Sequence, residues 1–458
     1  MTRTRDTKLR SDNPSGGIFR RASRNLAYLA GGKSISGCLS LIYLALAVRA
    51  LGVDAYGQLI LIYSFAQLVS AVVQFQTWQP ILHFGTPALE EKRFGDFRRI
   101  VRFALGLDAA SALVGMLLVG GGIWLIGPHI DLSPEILPLA SGFGLAVPFI
   151  IAASPNGLLR LFDRFDLLLL EDNVEAVVRL IGALGIFVFG GGLTAFVVVW
   201  AVSVVASGGT CAVLAWREIR RRDVWREGEA PSSPLPLGQQ FPGIWRFVWS
   251  TNFNSTIKLA RPHIATILIG GVIDSTEAGL FRIAQQIAEA LAKPLKLMTP
   301  VIYPELARLA AARDFVLLRQ FNRRALVFSS LGAVVGFCLL AAIGPIILDI
   351  IGGDQADGAY TVMLLLSAAA LIRISAFALE PTLISLGHPS VALGIQSVAA
   401  VVYLPLLFMM LPWLGFNGAG VAAMTAAVLT VVLQFAAVAF WFPPAQVSCS
   451  HSVEGVTP

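Results

Sequence analysis

Apolar stretches of about 20 or more residues, each long enough to cross a bilayer as a helix, recur twelve times along the chain. They cover residues 25–50, 57–82, 100–126, 135–158, 167–190, 193–216, 247–271, 278–302, 324–350, 360–385, 389–411 and 416–441. Alternation at period two is absent. In lipid, backbone polar groups have to be bonded within the segment, so the stretches predict helices. The expected fold is an all-α polytopic membrane protein: twelve transmembrane helices in two pseudo-symmetric six-helix lobes around a central cavity. The first stretch follows a basic segment and carries Ala45-Leu46-Ala47, which mimics a signal-peptide cleavage pattern. Its apolar run is too long for a signal core, and equally long runs follow, so it is read as a retained first span.

The polar connections alternate in charge. One set carries Arg3, Arg5, Lys8, Arg10, Arg20, Arg21 and Arg24; Lys92, Arg93, Arg98 and Arg99; Arg160 and Arg164; Arg217, Arg220, Arg221, Arg222, Arg226 and Arg246; and Arg308, Arg313, Arg319, Arg323 and Arg324. These are 24 of the 34 Lys and Arg. The opposite connections hold none and carry Asp54, Asp131, Asp274, Glu277, Asp354 and Asp357 instead. The positive-inside rule then predicts both termini in the cytoplasm. An even number of spans gives the same answer.

The longest connection, 217–246, is basic and contains Pro231-Ser232-Ser233-Pro234-Leu235-Pro236, the composition of a flexible tether. It divides the chain into a basic N-terminus at 1–24, a first lobe at 25–216, a second lobe at 247–441 and a tail at 442–458. The lobes resemble each other. Asp54-Ala55-Tyr56-Gly57 opens span two and Thr276-Glu277-Ala278-Gly279 opens span eight, 222 residues later. Gly95-Asp96-Phe97 and Arg313-Asp314-Phe315 repeat at an offset of 218. A near-constant offset predicts internal duplication. Six spans per half gives both halves one orientation, with a pseudo-two-fold axis along the membrane normal.

Composition agrees with the membrane reading: of 458 residues 56% are hydrophobic and 14% charged, too few charges to cover a soluble surface of this size. A net charge of +6 and a pI of about 9.3 would suggest nucleic acid for a soluble protein. Here the placement of charge matters more, and nucleic acid is not an expected partner. Cys38, Cys211, Cys338 and Cys449 show no paired spacing and read as small core residues.

The informative residues are polar ones inside the spans. A cation at bilayer depth costs roughly 2.5–3.5 kcal/mol on insertion scales and is normally kept there only facing a polar interior. Span seven carries Asn254, Lys258 and Arg261; span eight carries Arg282, Gln286, Glu289, Lys293 and Lys296 at steps of four, three, four and three, one helical face. Intrahelical pairing, Glu289 with Lys293 for example, accounts for part of that stripe. Span one shows Lys33, Ser36, Gly37 and Ser40; span two shows Tyr63, Gln67, Ser70 and Gln74. Hydrogen-bonded helix packing explains Ser and Gln as well as a cavity does, but not the cations. Glu171, Glu175 and Arg179 share a face of span five, and Arg373 and Glu380 a face of span ten; both signs are present, so structural ion pairs and cargo contacts both fit. Asp108 in span three is solitary, and a capping or protonated role fits as well as proton coupling. The pattern predicts a wet, cationic cavity and an anionic cargo.

Enzyme signatures fail. Gly31-Gly32-Lys33-Ser34 mimics a phosphate-binding loop, but the required earlier glycine is Ala27 and the segment opens a membrane helix. His83, His129, His263, His388 and His451 show no ligand spacing, and His263 reads as packing. No metal, cofactor or catalytic constellation is expected, and with no ATP-driven module the energy is expected from a proton or sodium gradient or from the cargo's own. Gly332 and Gly336 read as a close helix crossing.

The chain resembles the polysaccharide transporter branch of the multidrug/oligosaccharidyl-lipid/polysaccharide exporter superfamily, the O-antigen and exopolysaccharide flippases. The likeness is carried by Arg49-Ala50-Leu51-Gly52-Val53-Asp54-Ala55-Tyr56-Gly57, by Glu277-Ala278-Gly279-Leu280-Phe281-Arg282-Ile283-Ala284, by Leu386-Gly387-His388-Pro389 and by Gly415-Phe416-Asn417-Gly418-Ala419-Gly420. It implies a non-enzymatic protein of a bacterial inner membrane that moves a polyprenyl-diphosphate-linked oligosaccharide across the bilayer by alternating access. It also implies membrane lipids, a polysaccharide polymerase and chain-length proteins as partners. Lys and Arg are what a cavity needs to hold a diphosphate. A gradient-driven small-molecule exporter is the alternative. The drug-exporting relatives favour intramembrane carboxylates for cationic cargo, whereas the balance in spans one, seven and eight is positive. A non-transporting scaffold of an assembly complex is a third class.

Overall fold

The computed structural model describes residues 14–225, 235–296, 306, 308, 309 and 315–441, and among them every extended element is helical with no strand. The chain forms two compact units, Met1–His263 and Ile264–Pro458. Among the described residues eight segments are long and apolar enough to cross a membrane: Leu39–Val73, Phe94–Ile130, Pro134–Leu161, Leu193–Arg221, Phe315–Ala356, Ala359–Ser385, Pro389–Leu414 and Asn417–Trp441. Leu39–Val73 lies in helix α1 (Pro14–Val73), which kinks at Gly52, where φ is 77° and ψ 167°. Only glycine adopts that geometry without strain, so α1 holds parts of both expected spans one and two. Three further helices, α7 (Phe165–Phe189), α10 (Ile244–Val272) and α11 (Ser275–Lys296), occupy the stretches expected at 167–190, 247–271 and 278–302. They are not among the eight, and they are the helices that carry Glu175 and Arg179, Lys258 and Arg261, and Arg282.

In the first unit the second helix breaks. It stops at Val73 and resumes as α2 (Trp78–Glu90). After α3 (Phe94–Ile126) the fourth span runs through two short helices, α4 (Leu137–Gly142) and α5 (Val147–Ile151), then breaks at Ala152 before α6 (Ala153–Leu161). Pro155 is the third residue of α6. Its ring has no N–H to give Ile151 and crowds that carbonyl, which favours the break seen here. Gln74 Nε2 donates to the freed Ile151 oxygen at 3.2 Å. One broken helix thus supplies the bond the other lacks. Helices α7 and α8 (Leu193–Arg221) occupy the stretches expected at 167–190 and 193–216.

The second unit repeats the device. Beyond α12 (Phe315–Gly352), the span expected at 360–385 is α13 (Ala359–Ser375) and α14 (Leu379–Ser385), broken at 376–378. Pro381 is again the third residue of the short helix. The hydroxyl of Ser329 on α12 donates to the Ser375 carbonyl beside the break at 2.7 Å. Helices α15 (Pro389–Leu414) and α16 (Asn417–Trp441) follow. Arg373 and Glu380 were expected on one helical face; the break puts them on separate helices, and that expectation is corrected.

Each short helix lies in a core of its own at the basic end of its unit. In the first unit Leu158 and Leu159 of α6 pack with Ile81, Phe97, Ile100, Phe162, Ile219, Phe241, Ile244 and Val248. In the second, Leu379 and Leu383 of α14 pack with Leu306, Leu318, Ala392, Ile395 and Val438. The α6–α2 crossing is very close, since a Cβ at Gly157 would lie 2.7 Å from Trp78 Cα. Away from these cores, side chains such as Leu125, Phe189, Phe328 and Trp413 are exposed, as a lipid-facing belt requires.

The connection at 217–246 is more structured than its composition suggests. Helix α8 runs to Arg221, and Val224 is buried. Residues 226–234 lie outside the described residues. From Leu235 the chain docks on the first unit: Phe241 is buried against Phe84, and Gln240 Nε2 donates to Asp96 at 2.6 Å while Arg99 donates to Gln240 Oε1 at 2.6 Å. Ile244 and Val248 carry that packing into α10, so the division between units falls inside α10, beyond the linker. The expected free tether at 217–246 is corrected in these two parts. Of the glycine crossing expected at Gly332 and Gly336, Gly332 is exposed and Gly336 half-buried. The close approach in α12 is at Gly344, where a Cβ would meet Met363 Cε at 2.5 Å.

Candidate functional site

Arg179 occupies the best-defined polar site of the first unit. Its helix, α7, packs on α1 and α8, so the guanidinium enters a pocket of three aromatic rings. The carbon of the guanidinium lies 4.8 Å from the Tyr63 ring centre, 5.0 Å from Trp200 and 5.7 Å from Tyr43. Its Nε donates to Ser203 Oγ at 3.0 Å, and Ser203 in turn donates to the Trp200 carbonyl at 2.7 Å. Tyr63 is held by Gln67, whose amide donates to its hydroxyl at 2.7 Å. The ion-pair partner is Glu175, one turn away; the Arg179 side chain is 7% exposed and Glu175 33%. Each ring contributes about 0.5–2 kcal/mol when desolvated. Three rings and a carboxylate are comparable to the insertion cost of the cation. The guanidinium is enclosed on its aromatic sides and opens toward Glu175.

Asp108 is buried and serves as a cap. It accepts from the Thr77 hydroxyl at 2.7 Å and from the Ser154 backbone N–H at 2.8 Å, and the Ser154 hydroxyl donates to Thr77 at 3.1 Å. Thr77 precedes α2 and Ser154 lies in the first turn of α6, so one carboxylate satisfies donors at both breaks. A carboxylate beside helix N-termini is also favoured by their dipoles. This is the capping role left open by the sequence.

Cation-rich α11 places Arg282 half-buried. Its Nη1 donates to Gln285 Oε1 at 2.9 Å, while Nε is buried with no hydrogen-bond partner among the described residues. No carboxylate among them lies within ion-pair distance of it. Gln286 on the same helix is half-buried, but Glu289 is exposed while Ile283, Ala284, Ile287 and Ala288 are buried. The stripe is therefore not one uniformly buried face, a correction to the sequence reading. Arg261 on α10 is half-buried. The side chains of Lys33, Asn254, Lys258, Lys293 and Lys296 lie outside the described residues. Arg373 is exposed, and Glu380 accepts from Gln396 at 3.1 Å.

Sequence reading missed Tyr43, Trp200, Ser203, Thr77 and Ser154. For Tyr43 a signal exists: it continues the stripe of Ser36 and Ser40 by one further step of three. At the basic end Arg164 bridges Glu218 at 2.8 Å and Asp166 at 2.9 Å, and its guanidinium holds the Asp166 carboxyl below the usual carboxylate range. Among the described residues no group of three metal-ligating side chains occurs.

Long apolar helices broken at proline, with guanidinium groups enclosed between them, define an all-helical multi-pass membrane protein. The chain is similar to the inward-facing conformation of a multidrug resistance MATE family transporter of the MOP superfamily, with a TM-score of 0.70 at 13% identity over 88% of this chain and 95% of that one. It is similar to a mutant of the Vibrio cholerae MATE transporter VcmN, with a TM-score of 0.59 at 16% identity over 93% and 96%. The profile of the family described as Polysaccharide biosynthesis protein matches residues 22–310, and the chain belongs to that family. It is also 31% identical over 296 residues to the Inner membrane protein YghQ of Escherichia coli (strain K12), covering 64% of this chain and 82% of that one.

Proposed function

We propose that the protein is a twelve-span flippase of an inner membrane. It translocates a polyprenyl-diphosphate-linked oligosaccharide by alternating access, for O-antigen, capsule or exopolysaccharide synthesis. Both termini are cytoplasmic and a proton or sodium gradient drives the cycle. The observation that carries this reading is Arg282: a half-buried guanidinium whose Nε has no acceptor among the described residues and whose partner there is the neutral Gln285. Leaving a charged donor unpaired costs more than leaving a neutral one, so the site is built to receive an anion. A diphosphate supplies acceptor oxygens in the spacing a guanidinium fork matches. Gln285 holds the fork in orientation. The family match supports the polysaccharide assignment, and the sequence adds Lys258 and Arg261 on α10 and Lys293 and Lys296 on α11 to the positive charge of these two helices. The test is Arg282→Gln in a deletion strain. Lipid-linked oligosaccharide should accumulate in the inner leaflet while the variant is present at normal level.

A second reading, a gradient-driven exporter of small molecules, is favoured by the fold shared with the multidrug resistance transporter. It predicts drug sensitivity on deletion with unchanged polysaccharide.

A further inference from the structure

We propose that Arg102, Trp216, Arg220 and Trp225 of the first unit bind the phosphate of an anionic phospholipid resident in the basic-side leaflet. The four form a continuous stack. The Arg102 guanidinium lies over the Trp225 ring at 5.7 Å, the Trp225 and Trp216 rings meet at 6.1 Å and 63°, and the Arg220 guanidinium lies over Trp216 at 5.1 Å. Trp216 and Arg220 lie one turn apart at the end of α8 and Trp225 follows shortly after, while Arg102 is brought to them from α3 by the fold.

Its height fits a headgroup. Arg102 lies 24 residues before the end of α3, about 36 Å at the helical rise. Trp216 and Arg220 lie 23 and 27 residues into α8, about 35 and 40 Å. The hydrocarbon core is about 30 Å thick and the whole bilayer about 40–45 Å with its headgroups. All three residues fall in the outer slab, where phosphates sit and where tryptophan is enriched.

The charges are available. Arg102, Trp216 and Arg220 are exposed. Neither arginine makes an ion pair among the described residues, while the nearby carboxylate Glu218 is occupied by Arg164 and Arg222. The rings hold the guanidinium planes without neutralising them. The same stack ties the end of α8 to α3, so a lipid bound there braces the end of α8.

The experiment uses the full chain in nanodiscs, with native mass spectrometry and thermal unfolding. Phosphatidylglycerol should bind and raise the melting temperature, and phosphatidylcholine should not. The Arg102→Gln/Arg220→Gln double variant should melt like the parent in phosphatidylcholine but bind phosphatidylglycerol about 30-fold more weakly, roughly fivefold per cation. Trp216→Leu should lose part of the effect. Equal binding of the two lipids, or full phosphatidylglycerol binding by the double variant, overturns the proposal. So does displacement of phosphatidylglycerol by an equimolar polyprenyl diphosphate, which would make the stack a cargo site.

Discussion

The hydroxyl of Thr77 donates to Asp108 at 2.7 Å across the break in the second helix, and the same carboxylate caps α6 through Ser154. Asp108→Ala leaves two fully buried donors without an acceptor. At about 1–3 kcal/mol per orphaned group, it should lower stability by about 2–6 kcal/mol. Asp108→Asn should cost about 1 kcal/mol, because its oxygen still accepts from Ser154 and its amide can donate to the Thr77 oxygen. Thermal unfolding in detergent reads the order. Transport per folded molecule by Asp108→Asn should match the parent. A lost dependence on the proton gradient would instead make Asp108 a coupling residue.

The Arg179–Glu175 pair is coupled through burial. Arg179→Gln removes the cation from three rings and leaves the one-third-exposed Glu175 without its partner, at a cost of about 2–3 kcal/mol, below that of a fully buried pair. Arg179→Gln/Glu175→Gln should recover about 1–2 kcal/mol of that, since the stranded carboxylate is gone. A double-mutant cycle by chemical denaturation measures the coupling. Additive losses would mean the rings, not the pair, hold the arginine.

Docking of the linker end should be measurable separately. Phe241→Ala removes a buried ring and should destabilise the first unit by about 3–4 kcal/mol. Gln240→Ala should cost about 1–2 kcal/mol by breaking the bridge from Arg99 to Asp96. Hydrogen exchange of α2 and the start of α3 should rise in both variants, with the smaller rise in Gln240→Ala.

Two carboxyl groups outside the spans predict opposite pH effects. Burial, helped by nearby Asp274, pushes Glu277 up. Glu277→Gln should leave stability unchanged at acid pH, where the carboxyl is neutral in both states, and raise it as pH passes the ordinary carboxylate range. Asp166 is held down by Arg164. Its contribution is present above the ordinary carboxylate range and lost as pH falls through its lowered value, so Asp166→Asn should matter at neutral pH and not in acid. Melting temperature against pH for the two variants checks both signs.

The positions of the long helices were legible because lipid imposes a strong rule: a run of apolar residues has to be a helix. The breaks were not, because averaged hydropathy does not register Pro155 or Pro381, whose effect lies in a missing N–H. The pairing of Glu175 with Arg179 was visible as a one-turn spacing. Its aromatic surroundings were not, since Tyr43 and Trp200 reach Arg179 only through the packing of α1 and α8 on α7. The linker was misread at its far end because a proline-rich composition masked one informative residue, Phe241, too apolar for a solvated tether. Gln67 and Gln74 were seen as polar stripes. Their bonds to Tyr63 and Ile151 are made inside the first unit, where a cavity wall and helix packing use the same side chains.

The central claim is that Arg282 receives an anionic headgroup. Reconstitute the protein and its Arg282→Gln and Arg282→Lys variants in proteoliposomes, and follow the flipping of a polyprenyl-diphosphate-linked oligosaccharide between leaflets. The account predicts transport by the parent, a loss of at least tenfold in Arg282→Gln and partial activity in Arg282→Lys, which keeps charge without the fork. Undiminished flipping by folded Arg282→Gln would contradict it.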